Sequence, residues 1–446
     1  MLALFGLIAC APDSAGGEDT DTTPRTVIEG TPAFYDYRPK NVLAISMDTL
    51  RRDYLERYGG DKDNAPYLGE LADEGFVMDH HHSCSNWTHA GTLCTLNGVD
   101  NVDFGYPPWL SDTLPDLTAR PTFSSTFRDL GYRTILVTSN SWLTRFNIQY
   151  GYDVVLNKSE HAVDVWDYAR NTLTDLELSD PDSTDKPWFV HIHVKEPHVS
   201  YNPPQRYLED LEDLPPIDYD LSLSDEHYNV TNDLWTGLSE DEKELITEHM
   251  LVRYRGEVQY LDDQLEEILR DADDKGLLDD TLVVFWTDHG EQFWEHGDQS
   301  HAYSLYREEN DGIFLVWAKN IVPGTWAGKT THIDILPTVM HALGYPVPKS
   351  FTGMPAGTAP ADRPIFAETI ARNGTLLSVI QGDDELIYGF NGRKELYDLA
   401  ADPTETKNIY DATSPTVQAL WKLLQPKVDE MYKIVPELGA PVSPGP

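Results

Sequence analysis

The sequence TLVVFWT, residues Thr281–Thr287, is the clearest strand of the chain and decides its fold class. Its residues from Leu282 to Trp286 are all apolar, and such an uninterrupted run is typical of a strand buried on both faces of a parallel sheet. A helical pattern precedes it over Arg253–Arg270, where apolar residues recur at helical spacing. A helix that leads into a buried strand predicts an α/β sandwich, in which helices flank a mainly parallel central sheet.

The same alternation runs through the first half of the chain. We predict further strands and helices at these positions: strands Asn41–Ser46, Arg133–Thr138 and Pro187–Val194, and helices Ala65–Gly75 and Thr122–Leu130. In sheets of this kind functional side chains gather at the carboxyl ends of the strands, so those ends are where a site is expected.

The pattern changes near Pro364. Short alternating segments at Leu376–Gln381 and Glu385–Phe390 precede a helical pattern over about Thr416–Lys433. Alternation over short segments is typical of antiparallel strands. The sequence therefore predicts a small C-terminal antiparallel sheet covered by one helix.

These patterns divide the chain into two folded parts. We assign residues 37–363 to a main domain and residues 364–446 to a C-terminal subdomain packed on it. The acidic segment Tyr207–Glu240 lacks a clear period, and we predict it to be an inserted loop or lid of the main domain.

Composition excludes two classes of protein. Of the 446 residues, 40% are hydrophobic, which is enough to build a core and excludes disorder as the main state. The chain carries 33 Lys and Arg against 75 Asp and Glu, a formal net charge of −42, without a long basic stripe. Binding to the phosphates of nucleic acid needs clustered cations, so we expect no nucleic-acid partner.

The N-terminus indicates export. The apolar run Leu2–Ala9 is followed by Cys10, and its end, LIAC, resembles the lipobox of bacterial lipoproteins, although no Lys or Arg precedes it. We therefore expect a lipoprotein-type signal at residues 1–10 and a disordered acidic tether at residues 11–36. A lipid on Cys10 would be the only contact with the membrane, and it predicts an exported protein of the bacterial cell envelope, in the periplasm or at the outer membrane.

Polar side chains follow three of the predicted strands. Asp48 lies two residues beyond the first strand, Asp288 and His289 directly follow Thr281–Thr287, and His193 is near the end of its own strand. Carboxylates and imidazoles brought to one sheet edge are the ligand types expected for a divalent cation.

Short motifs with these residues occur along the chain in a fixed order. They are DTLRRD at 48–53, WT at 87–88, GYRT at 131–134, TSN at 138–140, PH at 197–198, TDHGE at 287–291, EHG at 295–297, SLY at 304–306, HIDILPT at 332–338 and ELYDL at 395–399. As a set they resemble the sulfatase family of the alkaline phosphatase superfamily, over roughly Arg38 to Asn408. The resemblance implies an alkaline-phosphatase-like sandwich and a hydrolase of anionic esters.

The resemblance also implies roles for individual residues. It assigns one divalent cation to Asp48, Thr88, Asp288 and His289, and leaves open whether this cation is Ca²⁺, Mg²⁺, Mn²⁺ or Zn²⁺. A second set of residues would act on the ester itself: the catalytic His193, His198 and His301, beside Thr88, and the substrate-binding Arg51, Asn140 and His296.

The nucleophile is where the chain departs from the family. Relatives that use formylglycine have Cys or Ser at the position of Thr88, then Pro and Arg, and none of these is found in Thr88–Thr92. The alignment rests on the span from Thr88 to Gly98, which matches the family's span from the nucleophile to the Gly that ends its helix. Formylglycine cannot form from Thr, whereas a metal-activated Thr alkoxide is used by lipoteichoic-acid synthases and phosphodiesterases of the superfamily. Cys84, four residues earlier, is the alternative nucleophile.

Three hypotheses for the function remain open. The first is a sulfatase-like, metal-dependent hydrolase of sulfate or phosphate esters in which Thr88 attacks in line. The second is a phosphodiesterase or phosphoglycerol-type transferase with a phospho-threonine intermediate. The third is a noncatalytic, surface-anchored binding protein with a decayed site. The substrate would be a sulfated or phosphorylated glycan, lipid or small molecule, and Cys84 and Cys94 could be either paired or free.

Overall fold

The computed structural model describes residues 30–105, 117–145, 148–179, 185–372, 374–435 and 438. Its strands are β1 Asn41–Met47, β2 Phe76–His82, β3 Arg133–Thr138, β4 Val154–Asn157, β5 Trp188–Val194, β6 Thr281–Thr287, β7 Gln292–Phe293, β8 Gln299–Ser300, β9 Asp311–Gly312, β10 Phe314–Trp317, β11 Gly324–Thr331, β12 Ile365–Ala371, β13 Gly374–Gln381, β14 Asp384–Gly389 and β15 Lys394–Asp398. Its α-helices are α1 Pro66–Glu74, α2 Thr88–Asn97, α3 Asn101–Phe104, α4 Phe123–Asp129, α5 Ala162–Ser179, α6 Ser224–Tyr228, α7 Glu240–Asp274, α8 Arg307–Asn310, α9 Ile335–Leu343 and α10 Pro415–Ile434.

The main domain is built on one large sheet with the strand order β11-β2-β10-β6-β1-β5-β3-β4, and β9 pairs with β2. β1 is parallel to both of its neighbours, β5 and β6, and β10 runs antiparallel between β6 and β2. Ser46 of β1 is opposite His193 on one side and Trp286 on the other. The predicted mainly parallel sheet is confirmed, and its three central strands end at the same level.

Both faces of the sheet are covered. In β1, Leu43, Ile45 and Met47 belong to the core under α1, α5 and α7, whereas Val42 and Ala44 belong to the core under α2, α4 and α9. Alternate residues of a strand face opposite sides, so a strand that is apolar throughout requires helices on both sides. This is the sandwich that the TLVVFWT segment predicts.

The longest helix, α7, begins well before the predicted start at Arg253. Ser239 is its N-cap: its hydroxyl accepts from the Glu242 backbone N–H, and the Glu242 carboxylate accepts from the Ser239 N–H. The first turns are acidic, but Ile246 and Met250 continue the buried stripe of the helix. Part of the predicted loop Tyr207–Glu240 is also helical, since α6 and a π-helical turn at Asn229–Leu234 lie within it.

The C-terminal subdomain has the predicted form. Its strands make an antiparallel sheet in the order β12-β13-β14-β15, and α10 packs against β13 and β14. Leu377 and Val379 of β13 share one core with Leu420 and Leu424 of α10.

Most of the N-terminal predictions concern residues outside the described part of the chain. The predicted signal at 1–10, its Cys10 and most of the tether lie outside the described residues. The last part of the predicted tether contacts the domain: Phe34 forms a bridge with Ile321, and Thr31 is buried.

No helix in the described part of the chain combines the length and the apolar character that crossing a membrane requires.

Candidate active site

Two carboxylates meet where the central strands end. Asp48 directly follows β1 and Asp288 directly follows β6, and each is fixed by a backbone hydrogen bond that continues the sheet. The Asp48 N–H donates to the Val194 carbonyl over 3.1 Å, and the Asp288 N–H donates to the Met47 carbonyl over 3.1 Å. Parallel register therefore brings these two distant residues together, as the strand-end argument predicts.

Each carboxylate keeps one oxygen without a partner. Asp288 Oδ1 accepts from the backbone N–H groups of Thr49 and His289, and Asp48 Oδ2 accepts from the side-chain amide of Asn140 over 2.7 Å. Asp48 Oδ1 and Asp288 Oδ2 are buried without a hydrogen bond in the described structure. A buried anionic oxygen without a donor is costly, which indicates a position for a cation.

The pKa shifts of the two carboxyl groups also fit a bound cation. Burial raises the pKa of Asp288 well above its ordinary value, and the nearby charge of Asp48 adds to the effect. Burial also acts to raise the pKa of Asp48, but the charges of His198 and His193 outweigh it and lower this pKa. Two adjacent buried carboxylates that cannot both be neutralised by side chains fit a divalent cation.

His289 offers a lone pair to the same point. Its Nδ1–H donates to the Gly290 carbonyl over 2.9 Å, which leaves Nε2 unprotonated in the neutral ring. Burial lowers the pKa of His289 to about 3, so the ring is neutral at physiological pH. Nε2 lies 3.6 Å from Asp48 Oδ1 and 3.7 Å from Asp288 Oδ2. This set of oxygens and nitrogen fits the predicted cation.

Thr88 completes the group. It is the first residue of α2, after an extended Trp87, and the helix ends at Gly98 in the left-handed conformation. Its Oγ1 lies 3.4 Å from His289 Nε2 and 3.4 Å from the amide nitrogen of Asn140. The hydroxyl is thus placed among all the other predicted ligands and at a helix N-terminus, where backbone N–H groups stabilise negative charge.

A chain of hydrogen bonds orients His193. Tyr152 OH contacts His191 Nδ1 over 2.8 Å, His191 Nε2 contacts Ser46 Oγ over 2.9 Å, and Ser46 Oγ contacts His193 Nδ1 over 2.8 Å. If the phenol donates first, the protons run in one direction and His193 keeps its proton on Nε2. That atom lies 3.5 Å from Asp48 Oδ2. In this direction of donation His193 offers a proton toward Asp48, whereas the opposite direction would leave Nε2 as a further ligand beside Asp48 and Asp288.

The pKa of His301 is set by two opposing effects. Burial acts to lower its pKa, but the Glu291 carboxylate, 2.9 Å from Nδ1, raises it above the ordinary value. Tyr201 OH donates to the other Glu291 oxygen over 3.0 Å. The His301 ring lies 4.5 Å from the His289 ring and 5.2 Å from the His198 ring, centre to centre. The contact with Glu291 therefore favours the protonated form of His301, which lies beside the candidate metal ligands.

Glu291 and Tyr201 were not among the predicted site residues. The signal for Glu291 is its position in the TDHGE motif, two residues after His289. A motif states which residue types occur together but not which of them orients another.

Backbone strain is concentrated around this group. Thr49, which follows Asp48, has φ 60°, and Ser300 and Ala302 on either side of His301 have φ 80° and 70°. Residues with a Cβ rarely adopt this left-handed conformation, and a β-branched Thr does so least readily. The fold holds the loops that carry Asp48 and His301 in fixed, strained shapes.

Two predicted substrate-binding residues make other contacts. The Arg51 guanidinium is bound by Asp53 over 2.7 Å and by Glu295 over 2.5 Å. His296 contacts Glu308 over 3.2 Å and stacks on the Tyr306 ring. Both side chains are already paired with carboxylates. Arg51 and His296 therefore hold the loops together through these contacts.

Cys84 and Cys94 form a disulfide. It joins the segment after β2 to α2, the helix that begins with Thr88, and it is buried beside Ile333. The question that the sequence left open is thus answered in favour of a pair. A disulfide sulfur is not a free thiol, which removes Cys84 as the alternative nucleophile.

Comparison with known proteins gives a consistent result. A family model described as Sulfatase matches residues 40–345. The chain is 24% identical over 277 residues to a choline-sulfatase of Rhizobium meliloti (strain 1021), a match that covers 58% of this chain and 53% of that protein. The chain thus spans about half the length of this relative.

Solved structures share the fold. The structure of BT4656 in complex with its substrate D-glucosamine-2-N,6-O-disulfate superposes with a TM-score of 0.65 at 18% identity, covering 89% of this chain and 99% of that one. The phosphonate monoester hydrolase SpPMH from Silicibacter pomeroyi superposes with a TM-score of 0.63 at 18% identity, covering 88% and 95%.

Proposed function

Since the chain belongs to the sulfatase family, whose model matches residues 40–345, we propose that it hydrolyses anionic esters of phosphorus or sulfur with Thr88 as nucleophile. The observation that carries the proposal is the pair of buried, unpartnered oxygens, Asp48 Oδ1 and Asp288 Oδ2, beside the hydroxyl of Thr88 and Nε2 of His289. A divalent cation held by these residues would neutralise the ester oxygens and lower the pKa of the hydroxyl.

In the first step Thr88 Oγ attacks the central atom of the ester in line with the leaving oxygen. The Oγ bond to that atom forms, and the bond to the leaving oxygen breaks. The proton of the hydroxyl passes to solvent water. His301, whose protonated form the contact with Glu291 favours, gives its proton to the leaving alcohol.

In the second step water attacks the same central atom and breaks its bond to Thr88 Oγ. His301, now neutral, takes the proton of the water, and Thr88 Oγ takes a proton back from solvent water. Asn140, which donates to Asp48 and lies beside Thr88 Oγ1, holds the nucleophile in position through both steps.

The nucleophile favours phosphorus over sulfur. A sulfate ester on Thr would have to be cleaved by water, whereas formylglycine expels sulfate from its hydrate. A phosphate ester of Thr is a common enzyme intermediate whose hydrolysis this arrangement supports. We therefore propose phosphate or phosphonate esters as the preferred substrates.

The test compares p-nitrophenyl phosphate, bis-p-nitrophenyl phosphate and p-nitrophenyl sulfate with each of Ca²⁺, Mg²⁺, Mn²⁺ and Zn²⁺. We expect turnover of a phosphorus ester that falls about 10³-fold or more in Thr88→Ala and Asp288→Ala, and that is largely retained in Thr88→Ser, which keeps the attacking hydroxyl.

Thr95→Ala is the matched control, because Thr95 lies on the same helix with its hydroxyl bound to the Gly91 carbonyl. Turnover that survives in Thr88→Ala would contradict the assigned nucleophile. The absence of turnover with every metal would favour the noncatalytic hypothesis.

A further inference from the structure

A polar cleft opens beside the proposed catalytic group. It has a volume of about 250 Å³ and is lined by His198 together with residues from the segment after β4, the segment after β5 and helix α7. Its floor contains two buried carboxylates, Glu196 and Glu257, each 6% exposed. The rim is exposed and carries charges of both signs, Glu160, His161 and Lys195.

His198 connects the cleft with the catalytic group. Its ring lies 5.2 Å from that of His301, and its charge acts on Asp48. His198 Nδ1 donates to the Val199 carbonyl over 2.7 Å, which fixes the ring at this boundary. An ester whose central atom lies at Thr88 would therefore extend its alcohol past His198 into the cleft.

The floor of the cleft has a carboxylate oxygen without a partner. Glu196 Oε1 pairs with His161 Nδ1 over 2.7 Å, but Glu196 Oε2 is buried and makes no hydrogen bond in the described structure. Because Glu196 lines the cleft, a donor group bound there would supply the partner that this buried anionic oxygen lacks.

Glu257 adds a second negative charge. Its Oε1 accepts from the Asn202 backbone N–H over 2.6 Å. Burial, and then the charge of Glu196, raise the pKa of Glu257 to about 7. The basic side chains of the lining are His161, which pairs with Glu196, and Lys195 on the exposed rim, so a cation bound beside the two buried carboxylates would add to the charge that opposes them.

We propose that this cleft receives the alcohol portion of the ester, and that Glu196 and Glu257 select alcohols that carry an ammonium group. The inference rests on the proposed function for the direction in which the ester lies. A hydroxyl would satisfy Glu196 Oε2 but would leave the charge of the carboxylate pair uncompensated, whereas an ammonium group does both. The cleft has the size for one monosaccharide, so an amino sugar is a suitable probe.

The experiment measures binding of the alcohol alone, which does not require catalysis. Glucosamine and glucose differ by one amino group, and their dissociation constants are measured by calorimetric titration at pH 7 with the full chain. We expect glucosamine to bind about tenfold more tightly than glucose, as one charge-assisted hydrogen bond predicts. The preference should fall below about threefold in Glu196→Gln and Glu257→Gln.

Glu248→Gln is the matched control, because Glu248 is an exposed residue of the same helix as Glu257. It removes one negative charge outside the cleft, and the preference for glucosamine should remain at the wild-type value. The thermal unfolding midpoint of each variant verifies that it is folded. If either Glu196→Gln or Glu257→Gln does not fold, the other variant still tests the proposal.

The outcomes separate the two proposals. Equal affinity for the two sugars in the wild-type protein, or a preference that persists in both floor variants, would overturn the ammonium subsite. A preference that depends on Glu196 and Glu257 supports the subsite, even if no p-nitrophenyl ester is turned over. A failure to turn over any p-nitrophenyl ester would count against the proposed hydrolysis but not against the subsite.

Discussion

His301 has surroundings that suit a proton donor. Glu291 accepts from its Nδ1, Tyr201 supports Glu291, and the residues before and after His301 are held with positive φ. Glu291 contacts only Nδ1 of the ring, and in the proposed mechanism Nε2 carries the proton that the leaving oxygen takes. An acid of this kind matters most when the leaving oxygen is a poor leaving group.

We therefore predict that His301→Gln slows the hydrolysis of alkyl esters much more than that of p-nitrophenyl esters. The loss for an alkyl leaving group should be about 10²- to 10⁴-fold, the usual contribution of general acid catalysis. p-Nitrophenolate leaves without a proton, so its loss should be much smaller. The measurement is kcat for both esters in the variant and in the wild-type enzyme.

His341→Gln is the control, because His341 lies on α9 and is not among the residues of the active site. An equal loss for the two leaving groups in His301→Gln would show that His301 positions the substrate and does not protonate the leaving group.

At the scale of elements, the register of β1 against β5 creates the chain of hydrogen bonds behind His193. Ser46 is opposite His193, and its hydroxyl bridges His193 and His191, which are two residues apart on β5. All three side chains are buried. A polar chain within the sheet is stable only if each member has its partner.

Ser46→Ala should therefore destabilise the fold and impair activity. It leaves two buried imidazole nitrogens without a partner, and we expect a loss of about 1–3 kcal/mol in the free energy of unfolding, measured by urea titration. Activity should fall as well, because the tautomer of His193 is no longer fixed. A variant as stable and as active as the wild-type protein would refute the role of this chain.

The elements that the sequence predicted are those with a strong local signal. β1, β3, β5 and β6 are rich in apolar residues, and their ends differ from the prediction by a residue or so. The start of α7 was missed, because the stripe with Ile246 and Met250 lies in a stretch rich in Glu. The strand order and the antiparallel β10 were also beyond reach, since they depend on pairing between segments far apart in the chain.

The candidate site was predictable to a similar extent. Asp48, Asp288 and His289 were proposed because they follow buried strands, and Thr88 was proposed from the resemblance to the family, aligned by the span to Gly98. Which of these side chains contact one another was not predictable from the sequence. Nothing in the sequence states that Glu291 faces His301, and only the fold decides that carboxylates bind Arg51.

At the scale of the whole molecule, a pair of buried carboxyl groups lies where the C-terminal subdomain meets the main domain. Glu385 of β14 and Glu405 after β15 hydrogen bond to each other, and Glu405 accepts from the Arg307 N–H of α8. Burial raises the pKa of both groups, that of Glu385 to about 7, and the proximity of Glu385 raises the pKa of Glu405 further. The pair therefore prefers to keep a proton.

This pair makes the stability of the protein depend on pH. Because the pKa of Glu385 is higher in the folded state than in the unfolded chain, its contribution to stability is complete below about pH 4.5 and is lost as the pH rises through about 7. Glu385→Gln removes the group that must be protonated. We predict that this variant is more stable than the wild-type protein by about 1–2 kcal/mol at pH 8 but not at pH 4.5.

Urea unfolding at the two pH values measures this difference, with Glu248→Gln as an exposed control. A gain that is the same at both pH values would exclude a titrating pair, and a loss at pH 8 would show that the carboxylates are ionised and paired with other groups.

The central claim is that Thr88 forms a covalent bond to the transferred group. The most direct measurement is mass spectrometry of the peptide that contains Thr88 after the enzyme, turning over a p-nitrophenyl ester, is quenched in acid. The account predicts a fraction of this peptide heavier by one phosphoryl or sulfuryl group, with the group located on Thr88 by fragmentation and absent from Thr88→Ala. Steady turnover with an unmodified Thr88 peptide at every quench time, or modification of another residue, would contradict it.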